Sequence, residues 1–442
     1  MIIPDRRLIQ VLIGLLGLAF AAAVERIFFP VNELFSQLWF LAFICFVVVA
    51  VTDIVRTTNR SKVEVVRVTR SSYALNAEAK VNLVLRNPTS DSLNIAIVDH
   101  YPPEVVAKGI PAEITVSGNQ ETVFEYRVLP IKRGEAEFGP VEIRVQSIFK
   151  FWRVSALSGA SETVRIYPDF MAVSNLNFLV YEQQLRHIGA HQRQRRGQGS
   201  DFKQLREFQD GDELRAVDWK ATSRVNKLIS KEYQDERDQE IIFLLDTGRR
   251  MRAKDDLLSH FDHCINATLL TSYIALLAGD AVGFMTFAGQ DRWMSPVKGK
   301  SNINKLLNGL YDLHSRAQAS DLLEASEKLM LKHQKRSLII VLTNVRDEDS
   351  DDLSLAVKLM SKKHLVMVAC LREKVLDRSE LLETSDLDAT LQYVGVQIYL
   401  ERRRKLIARL RGEGVSVADS PADQIHVALI NEYMALKRAG RI

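Results

Sequence analysis

At 442 residues the chain is too long for one ordinary hydrophobic core and calls for two or three domains. Fifty-nine Lys and Arg against 55 Asp and Glu leave a formal charge of +4, so the overall balance points to no global electrostatic partner. The three cysteines, Cys45, Cys264 and Cys370, are scattered and form neither a disulfide framework nor a metal-ligand spacing.

Leu8 to Val24 is apolar apart from Gln10, and a second apolar run extends from Leu38 to Val51 and on toward Val55. At 1.5 Å per residue, runs of about 17 to 20 residues cross a hydrocarbon core roughly 30 Å thick. The first run is long for a secretory signal, lacks a small-x-small cleavage site and is followed at once by the second, so residues 1–56 read as a transmembrane helical hairpin. Arg6 and Arg7 precede the first span, Arg26 stands alone between the spans, and Arg56, Arg60 and Lys62 follow the second. This Lys/Arg bias predicts a multi-pass protein of the inner (cytoplasmic) membrane with both ends and the soluble domains in the cytoplasm. Trp39 and Phe40 then fall near the outer interface.

Residues 57–168 change to period-two alternation. Val63 to Val68, Val81 to Leu85, Leu93 to Val98, Glu113 to Val116, Thr122 to Leu129, Glu135 to Phe138, Val141 to Val145 and Val164 to Ile166 read as short strands between turn signals. Their spacing, with no helical periodicity between them, predicts an antiparallel β-sandwich. Nothing in it looks catalytic, and His100 beside Tyr101-Pro102-Pro103 reads as a loop histidine.

Residues 169–239 form a linker with two unusual parts. The first is basic: His187, His191, Arg193, Arg195 and Arg196 precede Gly197 and Gly199, a pattern that suits either docking on phosphate or acidic surface or a solvated connector. It has no aromatics on which bases would stack, which argues against a nucleic-acid partner. The second part, Gly199 to Arg224, packs six acidic and five basic side chains around Phe202, Leu205, Phe208, Val217 and Trp219. Arg206, Arg215 and Arg224 can pair with Asp201, Asp210, Asp212 or Asp218, Asp212 can cap the turn from Glu213 to Val217, and Trp219 can anchor the network against the following sheet.

From residue 240 to 442 apolar strands alternate with helices: Ile241 to Leu245, then a helix from about Asp256 to Leu277, Ala281 to Phe287, a return strand around Trp293, and helices near Asn302 to Leu313 and Asp321 to Lys332. Strand Ser337 to Leu342, helix Asp349 to Lys362, strand Leu365 to Cys370, a long helix ending near Leu410, strand Val415 to Val417 and a last helix follow, with Ser420 as N-cap and Pro421 at N1. Uniformly apolar strands between helices predict a doubly wound α/β domain whose ligands bind at the carboxyl ends of the strands. Asp246-Thr247-Gly248-Arg249-Arg250 after the first strand is therefore the place to look.

A first strand ending in aspartate, an immediate helix and a second strand folded onto an antiparallel edge resemble a von Willebrand factor A domain. That resemblance implies a divalent cation held by a DxSxS motif, a separate threonine and a later aspartate. Here Gly248 and Arg250 stand where the two serines belong, and Asn344 where the aspartate does. Glycine offers no ligand and guanidinium no lone pair, so the expectation is no cofactor, with a weak Mg²⁺ site at Asp246, helped by Thr343, Asp347 and Asp349, as the alternative. Arg249 or Arg250 either takes the place of the ion beside Asp246 or is solvated at a helix start.

The block itself, Gly199-x-Asp201-Phe202-x-x-Leu205-Arg206-Glu207-Phe208-x-x-Gly211-Asp212-x-x-Arg215-x-Val217-Asp218-Trp219-Lys220-Ala221-Thr222-x-Arg224, resembles the signature of the family called domain of unknown function 58 (DUF58). The Arg133-Gly134 and Phe138-Gly139-Pro140 turns extend the resemblance, while Ser147-Ile148-Phe149-Lys150 departs from it where an Asp-Pro-Phe-Gly turn is frequent. The family implies two N-terminal spans, a β-sandwich and a von Willebrand A-like domain, often encoded beside MoxR-type AAA+ ATPases and transglutaminase-like proteins, with no established catalysis. The leading expectation is a membrane-anchored, non-enzymatic scaffold that docks a MoxR-type AAA+ ATPase, other proteins of the same operon being further candidates. The docking residues would be Asp201, Leu205, Arg206, Gly211, Asp212, Arg215, Asp218, Trp219 and Arg224. A Mg²⁺-dependent ligand-binding domain is the second reading and a hydrolase using Asp212 and Asp218 the third.

Overall fold

The structure is a computed structural model and describes residues 1–28, 34–60, 63–169, 201–209, 212, 214–234, 239–346, 350–379 and 387–442. Two compact units divide at Tyr167 and Pro168.

The first unit opens with a strand that alternation did not reveal, β1 (Ile2–Pro4), followed by α1 (Arg6–Phe28) and α2 (Leu34–Arg60). Both helices are long and apolar enough to cross a membrane, and most of their side chains point outward. The Trp39 indole N–H turns across the hairpin to donate to Leu15 O at 3.1 Å, and Glu25 accepts the Phe35 amide at 2.8 Å.

Eleven strands follow: β2 (Glu64–Val68), β3 (Ser72–Ala74), β4 (Ala79–Arg86), β5 (Leu93–Asp99), β6 (Val105–Lys108), β7 (Ala112–Val116), β8 (Glu121–Pro130), β9 (Gly134–Phe138), β10 (Val141–Gln146), β11 (Trp152–Ser158) and β12 (Glu162–Tyr167). They build three sheets, in the orders β1-β11-β10-β5-β7, β2-β4-β8-β6 and β3-β12-β9. Pairing is antiparallel throughout except β3 with β12, a departure from the all-antiparallel expectation. One face of β4 is buried at Val81, Leu83 and Leu85, as its alternation requires. Arg67 crosses this interior to pair with Asp99, which also accepts from Tyr126 Oη at 2.6 Å.

In the second unit, β13 (Asp201–Glu207), α3 (Trp219–Val225) and β14 (Ile229–Gln234) precede the main sheet. Next come β15 (Glu240–Asp246), the two-residue pair β16 (Lys254–Asp255) and β17 (Leu258–Ser259), α4 (His260–Leu277), β18 (Ala281–Phe287), β19 (Trp293–Lys298), α5 (Ile303–Leu310) and α6 (Leu322–Lys332). The unit finishes with β20 (Leu338–Thr343), α7 (Ser350–Ser361), β21 (Leu365–Arg372), α8 (Lys374–Ser379), α9 (Leu387–Gly412), β22 (Ser416–Pro421) and α10 (Ile425–Arg438).

The six-stranded sheet runs β19-β18-β15-β20-β21-β22, parallel except for the antiparallel edge β19. Alternate residues of β15 serve two cores. Ile241, Phe243 and Leu245 pack with α4 and α10, whereas Ile242 and Leu244 pack with α6, α7 and α9. A strand covered on both faces has no polar side, which is why its sequence is one apolar run.

Two local expectations fail. Residues 256–259 belong to the β16–β17 turn, and Ser259, not an upstream aspartate, closes a capping box with Asp262 at the start of α4. Ser420 does not cap the last helix: Ser420 and Pro421 complete β22 against β21, and α10 begins at Ile425 after a short 3₁₀ turn. Sheet pairing has overridden a local capping signal.

At the amino ends of the strands, His333 and His364 stack with ring centroids 5.8 Å apart, and His364 Nδ1 meets Ser337 Oγ at 3.1 Å. Burial pushes the His364 pKa down to about 4, with His333 and Lys363 adding to the effect. An unfolded histidine titrates near 6.5, so below that pH the unfolded chain binds a proton that the fold refuses. Stability is expected to fall as pH drops from about 6.5 toward 4, and His364→Gln to flatten that slope. Denaturant midpoints of the two proteins measured across this window check it.

Candidate functional site

The charged block folds as a small module of its own. β13 and β14 pair with each other, not with the six-stranded sheet, and a 3₁₀ turn at Leu214–Ala216 and α3 lie between them. Val217 bridges to Ser230, and both are buried with Ile229. Arg206 Nη2 pairs with Asp212 Oδ1 at 2.6 Å, while Asp212 Oδ2 accepts the Gln209 amide at 3.0 Å. Asp212 thus closes the turn that precedes it.

A second carboxylate, Asp218, caps α3. Its Oδ1 accepts from the amides of Lys220 and Ala221 at 3.0 Å each, with Lys231 Nζ 3.4 Å from Oδ2. The Ala221 amide, with Lys231 assisting, holds the Asp218 carboxyl below the usual carboxylate range. At the other end Asn226 takes the left-handed conformation that stops the helix.

With these aspartates engaged inside the module, several of its apolar side chains face outward. Trp219 is 67% exposed and Leu214 73%, and Leu205, Val225 and Leu228 are exposed as well. Trp219, the first residue of α3, is thus not packed as the anchor against the following sheet that was expected. Arg215 and Arg224 are also exposed. Gly211 and the side chain of Asp201 lie outside the described residues, as do Asp210, Asp347, Asp349 and the basic stretch from His187 to Arg196.

The second candidate is the turn after β15. In the order β19-β18-β15-β20-β21-β22 the direction of winding reverses between β15 and β20, and a crevice opens at the carboxyl ends of that pair. Asp246 and Thr343 end the two strands there. Asp246 is 1% exposed, and its oxygens accept from three donors at 2.7 Å: Gly248 N and Ser320 Oγ on Oδ1, Thr343 Oγ1 on Oδ2. Thr247 is tied to Phe287 O through both its amide and its hydroxyl, and its own carbonyl accepts from Arg316 N.

Gly248 is required here for lack of a side chain. A Cβ on it would stand 2.2 Å from Ser320 Oγ and 3.0 Å from both Asp246 Oδ1 and Gln318 O. The residue that removes a serine ligand also lets the segment from Gln318 to Ser320 close over the aspartate. Arg250 lines the same small cavity as Asp246, Ser320, Thr343 and Asp352, whereas Arg249 is exposed. A divalent cation entering here would find Asp246 as its buried carboxylate, two hydroxyls already donating to that carboxylate, and a guanidinium beside them. Asn344 turns aside to Glu373 at 3.1 Å. Among the described residues no group of three or more His, Cys, Asp or Glu is placed to hold a metal.

Ser320 escaped the sequence reading because it lies 74 residues from Asp246 with no motif around it; only Asp321, the N-cap of α6, marks the loop end. β14 and Lys231 were likewise hidden inside a stretch read as linker.

Comparison with known proteins adds three observations. The family model described as "Protein of unknown function DUF58" matches residues 204–410. The uncharacterized protein YeaD of Bacillus subtilis is 23% identical over 229 residues, 51% of this chain, and the match spans about half, 54%, of that protein's length. Among solved structures, an aerotolerance-related membrane protein of Bacteroides fragilis aligns at 20% identity and a TM-score of 0.23 over 30% of this chain and 67% of its own. An α2-macroglobulin fragment from Escherichia coli aligns at 12% and 0.20 over 24% and 17%. Likeness at these TM-scores carries no structural argument.

The Asp246 network makes a stability cycle possible. Ser320→Ala removes one donor from a buried carboxylate and is expected to cost about 1–3 kcal/mol. Gly248→Ala, which drives a methyl into Ser320 Oγ, is expected to cost at least about as much through overpacking. The double variant should recover part of the sum, because each change removes the other's obstacle or partner. Urea midpoints of the four proteins give the coupling, and strict additivity would show that the two residues do not share this contact.

Proposed function

The DUF58 family model matches residues 204–410, and from that premise we propose that the chain is a membrane-anchored, non-enzymatic adaptor. Its signature module docks a cytoplasmic partner, a MoxR-type AAA+ ATPase. The observation that carries this reading is the outward-facing apolar set Leu205, Leu214, Trp219, Val225 and Leu228 on a module whose own aspartates and arginine are internally engaged. Exposed tryptophan and leucine side chains are what a protein interface buries, and a partner supplies that cover. α1 and α2, long and apolar enough to span, hold the adaptor at the membrane with its soluble units on the cytoplasmic side.

The six-stranded domain is read as von Willebrand factor A-like from its strand order, its antiparallel edge and the aspartate ending its first strand. In this reading hydrogen bonds from Gly248, Ser320 and Thr343 take over from a cation in organising the turn. The alternative, a Mg²⁺-dependent ligand site, draws on the same three side-chain oxygens, of Asp246, Ser320 and Thr343. An Asp246→Ala-sensitive heat on Mg²⁺ addition would favour it. The hydrolase alternative has little support, since Asp212 and Asp218 are both committed to structural hydrogen bonds.

Trp219→Ala and Leu214→Ala are expected to abolish co-purification of the ATPase with the detergent-solubilised chain while leaving the chain folded, because neither side chain is packed. Binding retained by the double variant would remove the docking role of this module. A reporter fused after Ile442 is expected to behave as cytoplasmic, and an external signal would overturn the ATPase reading itself.

A further inference from the structure

Between β10 and β11 the first unit carries a tight turn whose central residues are Ile148 and Phe149. Lys150 N donates to Ser147 O at 3.0 Å, Lys150 adopts φ +60°, and Ser147 Oγ accepts the amides of Phe151 and Trp152 at 3.0 Å each. The turn is thus held in one shape. Turn centres facing water are usually Gly, Pro, Asn, Asp or Ser, yet this one displays two large apolar side chains that are about half exposed.

Its attachment shows what would cover them. The Phe151 ring lies 5.9 Å from that of Phe46, Trp152 Nε1 donates to Ala50 O at 3.1 Å, and Phe149 N reaches Asp53 Oδ1 at 3.4 Å. These α2 residues lead from the polar end of the helix into its apolar run, Phe46 lying about 10 Å deeper than Asp53 at 1.5 Å per residue. On the other side β1 pairs with β11, and Asp5, which accepts from Gln146 at 2.5 Å and Arg153 at 3.2 Å, leads directly into α1. Both helices therefore leave from the end of the β domain that carries the turn. A bilayer that takes them up must reach Ile148 and Phe149, at the headgroup–acyl boundary where interfacial segments bury their apolar faces about 5–10 Å deep. Arg6, Arg7 and Lys150, all exposed, lie at the same end as partners for lipid phosphates.

We infer that this turn is an interfacial anchor: Ile148 and Phe149 insert into the bilayer beside α2, and the three cations bind the headgroups of anionic lipids. The inference rests on α1 and α2 spanning the membrane. The test uses the full chain with Cys45→Ser and Phe149→Cys, labelled with an environment-sensitive dye in phosphatidylethanolamine–phosphatidylglycerol vesicles. The native chain labelled at Cys45 is the control, since Cys45 is exposed on α2 while Cys264 and Cys370 are buried. At position 149 the expected result is blue-shifted emission, quenched by spin-labelled lipid and shielded from iodide. Lipid quenching at Cys45 with free iodide quenching at 149 overturns the anchor and leaves the spanning helices standing. Iodide quenching at both positions overturns both readings. Equal shielding at 149 in neutral phosphatidylcholine vesicles overturns the assignment of the cations to anionic headgroups.

Discussion

A carboxylate buried at the end of a central parallel strand must find its donors inside the protein, because water cannot reach it to compensate. Asp246 finds three, and each fixes something different. Gly248 N sets the turn that leaves β15. Thr343 binds the ends of β15 and β20 together across the point where the winding of the sheet reverses. Ser320 draws the segment ahead of α6 down over the crevice, which is possible only because residue 248 has no side chain. The carboxyl edge of the sheet takes its shape from satisfying one charge, and the identities at 248, 320 and 343 follow from it.

The second unit uses its charges in a similarly inward manner elsewhere. In the signature module Asp212 and Asp218 serve a turn and a helix end, tasks that require a carboxylate of fixed geometry more than a charge on display. Such partly exposed pairs fix geometry more than they add stability. What they leave at the surface is a mixture, Leu214 and Trp219 standing beside the exposed Arg215 and Arg224.

Legibility from sequence follows the range of the interaction. β15 was readable almost to the residue, since a strand buried on both faces is apolar at every position, and the two N-terminal helices were readable from the length of their apolar runs. The spatial partners of Asp246 were only half readable: Thr343 follows a strand in an expected place, whereas Ser320 sits in a loop without periodicity. Trp219 misled because an aromatic ring among charges usually marks a buried anchor, and only its exposure in the fold shows otherwise. Ser420-Pro421 misled because a capping dipeptide and the end of a parallel strand share the same residues, and pairing with β21 decided between them. β1 was too short to alternate visibly, and its partner lies about 150 positions further on.

That last feature has a meaning in time. Ile2 pairs with Val154 and Pro4 with Trp152, so the strand that leads into α1 has nowhere to go until residue 158 has been made. At roughly 5–20 residues per second a ribosome takes on the order of ten seconds or more to get there. By then α1 and α2 have long since emerged, while the three residues ahead of them wait without a partner. Completion of β11 is therefore what locks the helical hairpin to the β domain, and a chain stalled before that strand would hold the helices without the clamp.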